Sequence, residues 1–195
     1  MSATLAPFGL RAAYHPTGNV RAVAYNIATS YSTTLYKNQA VVLNTNGTVT
    51  TVAAGSNDWT GVFVGCEYFD AQGKYNVSPY WPASQATLAG STITAWVIDD
   101  PDVVFEVQAD GSVAQTALGD QANFSSTSGY TNADGSTTTG LSAMAMSSSL
   151  AGAGSQGQLR IVAFGKQIDN AVGDAYTIVQ VQNARHTYRA LKVAI

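Results

Sequence analysis

Hydrophobic and polar residues alternate with a period of two in many short segments of the chain, which predicts a protein built from β-strands. Between residues 91 and 98, for example, Ile93, Ala95 and Val97 stand on one side, opposite two threonines and a tryptophan. Because successive side chains of a strand point to opposite faces, this spacing gives the segment one apolar face. The same reasoning predicts strands at residues 21–28, 39–43, 48–52, 59–69, 74–77, 91–98, 103–109, 112–116, 141–146, 159–164, 176–181 and 187–193.

Turn signals separate the predicted strands. Asn44-Thr45-Asn46-Gly47 and Asp70-Ala71-Gln72-Gly73 predict hairpin turns, because glycine tolerates the positive φ angles of tight turns. Asp110-Gly111 predicts a third hairpin, which would lead into the strand at 112–116. Pro101 has no backbone N–H and therefore ends the strand before it.

Other parts of the chain lack the strand period. Residues 117–124 have room for a short helical turn, and the Gly-, Ser- and Thr-rich segments 125–140 and 147–157 predict long surface loops. Residues 1–20 contain two prolines and two glycines among apolar side chains, which predicts an extended N-terminal arm. Two interpretations of this arm stay open: a disordered terminus, or an arm that docks on a neighbouring molecule.

The predicted elements indicate an all-β fold, either a small β-barrel or a sandwich, with the extended arm and the long loops attached. Turn signals recur about every 8–12 residues, which is typical of sandwiches and barrels. Residues 21–195 are predicted to form the β-rich domain. A soft boundary at Pro79-Tyr80-Trp81-Pro82 leaves two arrangements open, one continuous fold or a split near 79–82 into two β subdomains.

The composition favours a chain whose surface is covered in an assembly. Charged residues make up 11 % of the chain, against roughly 25 % in typical soluble domains. Hydrophobic residues make up 46 %, which is enough for a real core. Serine, threonine, asparagine, glutamine and glycine fill the remaining polar positions. Secreted β proteins share this composition, so it favours an assembly without requiring one.

Charge and hydropathy also limit the partners. The formal net charge is −3 and no run of Lys or Arg exists, so the chain lacks the concentrated basic face that binds phosphates. No segment approaches the ~18 apolar residues that cross a bilayer. The first residues lack the apolar stretch of a signal peptide. We therefore predict neither nucleic acid nor a membrane as partner, and no Sec-dependent secretion.

The sequence offers only isolated candidates for a metal site. Asp99, Asp100 and Asp102 form the best of them, since clustered oxygen atoms at a turn suit Ca²⁺. They lack the spacing of a known Ca²⁺ loop, and a solvated turn is the preferred interpretation. His15 and His186 lie near opposite ends of the chain and are interpreted as ordinary surface or interface histidines.

Catalytic motifs are equally scarce, and we predict neither enzymatic activity nor a cofactor. Glu67 and Glu106 are the only glutamates, and nothing in the sequence brings them together as a glycosidase pair. Cys66 lies in an apolar run and is predicted to be a small buried side chain. The tryptophans predict core or interface anchors, with a sugar-stacking platform as the alternative; they are Trp59, Trp81 and Trp96.

Several segments resemble virion proteins of tailed bacteriophages, and together they point to the capsid decoration, or cement, proteins. The first three resemble a small β-barrel pattern of phage head proteins, and the later ones resemble segments of virion structural proteins. The resemblance is spread over about residues 36–190 as a set of short segments rather than one diagnostic motif. The segments are 39–43, 46–49, 61–65, 100–111, 159–162, Asn170, 176–181 and 186–188.

The resemblance implies a fold, a location and partners. Decoration proteins are β-rich and non-catalytic, with jelly-roll-like or β-tulip-like folds, and they bind the outside of an expanded capsid, often as trimers. The resemblance therefore implies the major capsid protein and further copies of this chain, as a homotrimer, as partners. It places the protein on the capsid exterior after assembly in the host cytoplasm. With a split near 79–82, the first subdomain would lie next to the capsid and the second outside it.

The resemblance also gives the arm a role. In decoration proteins an N-terminal segment often reaches onto the shell, so apolar and basic side chains of the arm are predicted to bind the capsid. Deleting residues 1–18 is then expected to abolish capsid binding and leave the fold intact. The predicted anchors are Leu5, Phe8, Leu10, Arg11 and Tyr14.

Other functions stay open at this stage. A connector, vertex or tail protein would share the composition and the β pattern. A carbohydrate-binding module would use tryptophan and tyrosine side chains on a β face and stay monomeric. An enzyme is the least favoured of these classes, because no catalytic motif is found.

Overall fold

Nearly all regular structure is β-strand, so the all-β prediction is confirmed. The computed structural model describes residues 4–152 and 154–189. Within that part of the chain, the one helix is a 3₁₀ turn at Gln115–Ala117. The strands are β1 (Arg11–Tyr14), β2 (Val23–Ile27), β3 (Gln39–Leu43), β4 (Val49–Thr51), β5 (Gly61–Phe69), β6 (Tyr75–Ser78), β7 (Ile93–Ile98), β8 (Val104–Gln108), β9 (Gln121–Phe124), β10 (Gly135–Ser136), β11 (Leu141–Ser142), β12 (Met146–Leu150), β13 (Leu159–Phe164) and β14 (Ile178–Asn183).

Two six-stranded sheets contain most of these strands. Sheet 1 has the order β1-β8-β14-β13-β9-β12, and sheet 2 has the order β2-β7-β5-β3-β4 with β6 added to β5. β10 and β11 pair as a separate ribbon. The chain passes from sheet 2 to sheet 1 at residues 99–103, whereas residues 79–82 connect β6 and β7 of one sheet. A division of the chain into two subdomains stays a prediction.

In sheet 2 the two outer strands approach each other, and in sheet 1 the outer strand β12 approaches the end of β8, but neither sheet closes. In sheet 2 one isolated bridge, Asn26–Thr48, links the ends of β2 and β4. In sheet 1 the bridge Ala109–Met146 links the end of β8 to β12. Within the described residues no strand ladder continues either bridge, so the fold is a sandwich and the barrel alternative is wrong. The jelly-roll-like and β-tulip-like topologies stay predictions.

Sheet 2 curls around a core of its own. Ile93, Ala95 and Val97 of β7 are buried, as their alternation predicts. They pack in one cluster with Phe63 of β5 and with Trp81. Each large apolar side chain buried in this way contributes about 1.5–3 kcal/mol.

A second core joins the two sheets, and Trp59 lies at its centre. Trp59 comes just before β5, and its ring meets Phe105 of β8 and Phe124 of β9 at centroid distances of 6.4 and 5.5 Å. Its indole N–H donates to the Gln158 carbonyl at 3.0 Å. A residue from the sheet 2 half of the chain is therefore surrounded by side chains of sheet 1.

A buried amide holds the long loop at 125–140 against sheet 2. Asn132 donates to the carbonyls of Ala40 and Val52, both at 2.8 Å, and its Oδ1 accepts the Ala40 N–H at 3.0 Å. These are contacts that a neighbouring strand would otherwise make. The polar loop thus remains irregular and still satisfies the backbone groups of buried residues.

Most predicted strands and the first two hairpin turns are observed. The turns close with Gly47 N–H donating to the Asn44 carbonyl and Gly73 N–H donating to the Asp70 carbonyl, both at 2.9 Å. The segment predicted as a loop at 125–140 contains only the short β10. The turn residues and the strand period therefore predict the positions of most strands.

The hairpin predicted at Asp110-Gly111 is wrong, and so is the strand at 112–116. Both edges of β8 are already paired, one with β1 and the other with β14, so no edge is left for a returning strand. The chain instead forms the 3₁₀ turn at Gln115–Ala117. In the segment 117–124, where a helical turn is predicted, only Ala117 belongs to this 3₁₀ turn, and the second half of the segment forms β9.

Three further boundaries differ from the prediction. β12 extends into the segment predicted as a loop at 147–157, because an outer strand exposes polar side chains and shows little alternation. The strand predicted at 141–146 is interrupted between β11 and β12. No strand forms at residues 187–189, and residues 190–193 of that predicted strand lie outside the described residues.

Candidate partner-binding surface

The N-terminal segment predicted as an arm packs on the protein's own surface. β1 pairs with the edge of β8, and Leu10 is fully buried in the core that joins the sheets. Before it, the Gln108 side chain accepts the Ala6 N–H at 2.8 Å and donates to the Thr4 carbonyl at 3.1 Å. Most of the segment is therefore part of the fold.

Gly9 permits this close packing. Its φ is +74°, and a Cβ at this position would lie 2.4 Å from the Asn38 carbonyl oxygen. The next residue, Leu10, donates its N–H to the same carbonyl at 2.8 Å, and the Asn38 side chain donates to the Phe8 carbonyl at 3.1 Å. Glycine is required here because any side chain would push the segment off the protein.

The predicted anchors consequently lie in different environments. Leu10 belongs to the core and is not available to another molecule, which corrects its assignment as an anchor. Leu5 and Phe8 are half-buried, and Tyr14 is 48 % exposed. Arg11 forms an ion pair with Glu106 at 2.5 Å, and its guanidinium lies 4.9 Å from the centroid of the Phe8 ring.

The packing of the N-terminal segment argues against the expectation that residues 1–18 can be removed without loss of the fold. Removal would empty the Leu10 position in the core and take β1 from the edge of sheet 1. Loss of binding in such a truncation would therefore not identify an anchor. Roles for Leu5, Phe8, Arg11 and Tyr14 in binding a capsid stay predictions.

The acidic turn after β7 is tied to the N-terminal segment. The His15 ring lies 3.2 Å from Asp100, and Asp102 pairs with Arg189 at 2.6 Å. His15, Asp100 and Asp102 are close enough to hold a metal ion. However, His15 Nδ1 accepts the Thr17 N–H at 3.0 Å, so the proton of the neutral ring is on Nε2 and points to Asp100. The geometry is that of a hydrogen-bonded cluster, and we assign no cation to it.

The other histidine, His186, is buried and held in its neutral form. Its Nδ1 accepts the Tyr188 N–H at 3.1 Å, which places the ring proton on Nε2, 2.7 Å from the Asp99 carbonyl. Burial lowers the pKa of His186 below its ordinary value. The side chain is 4 % exposed, so it is part of the interior rather than a surface or interface histidine.

His186 should make stability depend on pH. A histidine with a lowered pKa when folded takes up a proton more readily in the unfolded chain, so its contribution to stability is complete above about pH 6.5 and declines below it. We expect the free energy of unfolding to fall less steeply between pH 6.5 and 5 in His186→Gln, which keeps a donor for the Asp99 carbonyl. Urea unfolding at several pH values measures both slopes, and equal slopes would contradict this account.

Cys66 and the two glutamates show no catalytic arrangement. Cys66 is buried, as predicted; its thiol donates to the Tyr80 carbonyl at 3.4 Å, and burial raises its pKa to about 12. Glu106 lies in sheet 1 with Arg11 as its partner. Glu67 lies in sheet 2 and has different partners, described below.

A sugar-stacking platform of three tryptophans is ruled out. Trp59 and Trp81 are both fully buried, in different cores, so they are the core anchors of the other interpretation. Trp96 is partly exposed on the outer side of β7.

Trp96 belongs to a surface that we call the aromatic face, formed by Glu67, Phe69, Tyr75, Val77 and Trp96. Register places them side by side: Phe69 is opposite Tyr75, and Glu67 is opposite Val77. The Phe69 and Tyr75 rings lie 5.3 Å apart. Tyr75 is 51 % exposed and Val77 is 69 % exposed. The hairpin of β5 and β6 therefore presents aromatic and aliphatic side chains to solvent.

Glu67 lies in the middle of the aromatic face. Its Oε2 accepts the Tyr75 hydroxyl and its Oε1 accepts the Trp96 indole N–H, both at 2.7 Å. The bond to Glu67 raises the pKa of the Tyr75 hydroxyl, which therefore remains a donor. The two bonds hold both rings in fixed positions around the carboxylate.

The aromatic face ends at an open sheet edge. β6 pairs with β5, and no other strand among the described residues pairs with it. An edge strand presents unpaired N–H and C=O groups, which are a template for another chain. Apolar side chains and free backbone groups thus occur together on β6, a combination suited to protein association.

Comparison of the chain with protein-family models, with curated proteins and with solved structures found no match. The described part of the chain contains no helix that is long and apolar enough to cross a membrane.

One cleft of about 470 Å³ lies between the end of β4 and the 125–133 loop, and its lining consists of small side chains and Asn132. The exposed apolar side chains beside an open sheet edge make the aromatic face the candidate functional site.

Proposed function

We propose that this chain is a non-catalytic structural protein of a virus particle, a decoration or cement protein that binds the outside of a tailed-phage capsid. The observation that carries this proposal is the aromatic face on the open edge of sheet 2. Contiguous exposed apolar side chains mark sites of protein association, and aromatic residues are enriched in such sites. The resemblance of segments in both sheets to phage virion proteins supports a capsid as the partner.

In this proposed role, the chain stabilises the shell by binding only its assembled form. A molecule that contacts several neighbouring capsid subunits binds the lattice more tightly than any single subunit, because the later contacts are intramolecular. Binding of the assembled state alone then shifts the assembly equilibrium by mass action. The partners are the major capsid protein and, in a homotrimer, further copies of this chain on the capsid exterior.

Copy number tests the proposal against the other virion roles. We expect quantitative mass spectrometry of purified particles to find this chain at a large fraction of the copies of the major capsid protein, because a decoration protein occupies lattice positions. Particles washed at high salt serve as the control for loosely attached protein. A handful of copies per particle would instead indicate a connector, vertex or tail protein, and absence from particles would end the virion proposal.

A further inference from the structure

Glu67 carries a charge that no cation in the described residues balances. The ion pairs found there are those of Arg11, His15 and Arg189, and all three involve other carboxylates. The donors to Glu67 are an indole N–H and a phenol hydroxyl, both neutral. Lys74, the nearest basic residue in sequence, is not among the residues that form these ion pairs. The carboxylate is thus held in place but not neutralised.

A partner that covers the aromatic face either supplies a counter-charge to Glu67 or buries its carboxylate unpaired. Glu67 is already half-buried, and the exposed Tyr75 and Val77 beside it exclude more water once they are covered. A carboxylate buried without a counter-charge is strongly destabilising, whereas a hydrogen-bonded charge pair across an interface is tolerated or favourable. Charge complementarity therefore requires a cation from the partner at this position.

The rings beside Glu67 favour the same type of ligand. The faces of tryptophan and tyrosine attract cations within about 6 Å of the ring centroid, and Trp96 and Tyr75 both contact the carboxylate directly. A guanidinium or ammonium group would donate a charge-assisted hydrogen bond to Glu67 and make a cation–π contact with the rings. Few neutral groups would gain from both.

We propose that Glu67, Tyr75 and Trp96 form a binding site for a basic side chain, arginine or lysine, of a partner protein. The identification of the partner as a capsid subunit rests on the proposed function. The preference of the site for a basic side chain rests on its own residues and is independent of that function. In the assembled particle the basic side chain occupies the centre of the aromatic face, and the apolar contacts of Val77 and Phe69 surround it.

The indole N–H of Trp96 reports on the site directly in the ¹H–¹⁵N spectrum of the full chain. The probe is N-acetyl-arginine amide, and N-acetyl-citrulline amide is its uncharged isostere. We expect the arginine probe to shift the Trp96 indole signal in a saturable way, and the citrulline probe to bind roughly tenfold more weakly or worse. The Trp59 and Trp81 indole signals, both from buried rings, should not move and serve as internal controls.

Two variants keep the test decisive. Glu67→Gln removes the charge and keeps an acceptor, and it should abolish the arginine response. Val77→Lys places an ammonium directly opposite Glu67, where it should occupy the site and also abolish the response. Equal shifts with arginine and citrulline, no shift with either, or an arginine response that survives Glu67→Gln would overturn the proposal.

Failure of this site and failure of the proposed function are distinguishable, because the probe involves no capsid. An arginine response together with absence of the chain from particles would keep the cation site and reject the decoration role. Abundant copies on particles without an arginine response would keep the decoration role and reject the cation site.

Discussion

Replacing Trp59 with alanine is expected to lower the free energy of unfolding by about 3–5 kcal/mol, the usual cost of truncating a large buried side chain. Trp59 is fully buried and its ring joins the two sheets through Phe105 and Phe124. The truncation also leaves the Gln158 carbonyl without the indole donor. Domains of this type are stable by only about 5–15 kcal/mol, so this single change removes a large part of the total.

Urea unfolding followed by tyrosine fluorescence and circular dichroism measures the effect. Trp59→Phe is the matched variant: it keeps an aromatic ring against Phe105 and Phe124 and loses mainly the indole N–H, so its cost should be clearly smaller. Leu118→Ala, at a side chain that is 41 % exposed, should change stability by less than about 0.5 kcal/mol. A loss below about 1 kcal/mol for Trp59→Ala would mean that Trp59 does not join the sheets as described.

The sequence pattern was most informative where a strand has one buried face. In β7 the alternation of Ile93, Ala95 and Val97 with threonine and tryptophan matches the observed burial. It was least informative at strands on the outside of a sheet. β12 is rich in serine, because it is the last strand of its sheet and much of it faces solvent. The hairpin signal at Asp110-Gly111 failed for a different reason, since pairing on both edges of β8 is a tertiary property.

The candidate site was harder to predict than the fold. Apolar residues of the N-terminal segment looked available to a partner, yet Leu10 is in the core, and only a long-range contact with Asn38 reveals this. The aromatic face was not predicted as a site. Its signal is visible in hindsight: Phe69 precedes Asp70 and Tyr75 follows Lys74, the two residues that close the turn, so the hairpin places both rings side by side. Their exposure depends on where sheet 2 ends, which no local pattern specifies.

Removing the exposed apolar side chains of β6 should weaken binding to the capsid strongly and leave the fold intact. The double variant Tyr75→Thr/Val77→Thr keeps residues that suit strands, at two positions that are 51 % and 69 % exposed. We expect Tyr75 and Val77 to act as hot spots, the few interface residues whose truncation costs about 2 kcal/mol or more each. The two together should therefore reduce affinity on the order of several hundred-fold. The change also removes the hydroxyl that donates to Glu67, so binding of a basic side chain at the proposed site should weaken too.

The most direct test of a capsid-binding aromatic face is co-sedimentation of the purified chain with expanded shells that lack it. The wild-type chain, the Tyr75→Thr/Val77→Thr variant and a control, Ile168→Thr/Val172→Thr, are titrated against the same shells. The control removes comparably exposed apolar side chains from the loop after β13. The account predicts saturable binding of the wild type and the control, and little or no binding of the β6 variant at the same concentrations. Wild-type binding by the β6 variant, or no binding by any of the three chains, would contradict it.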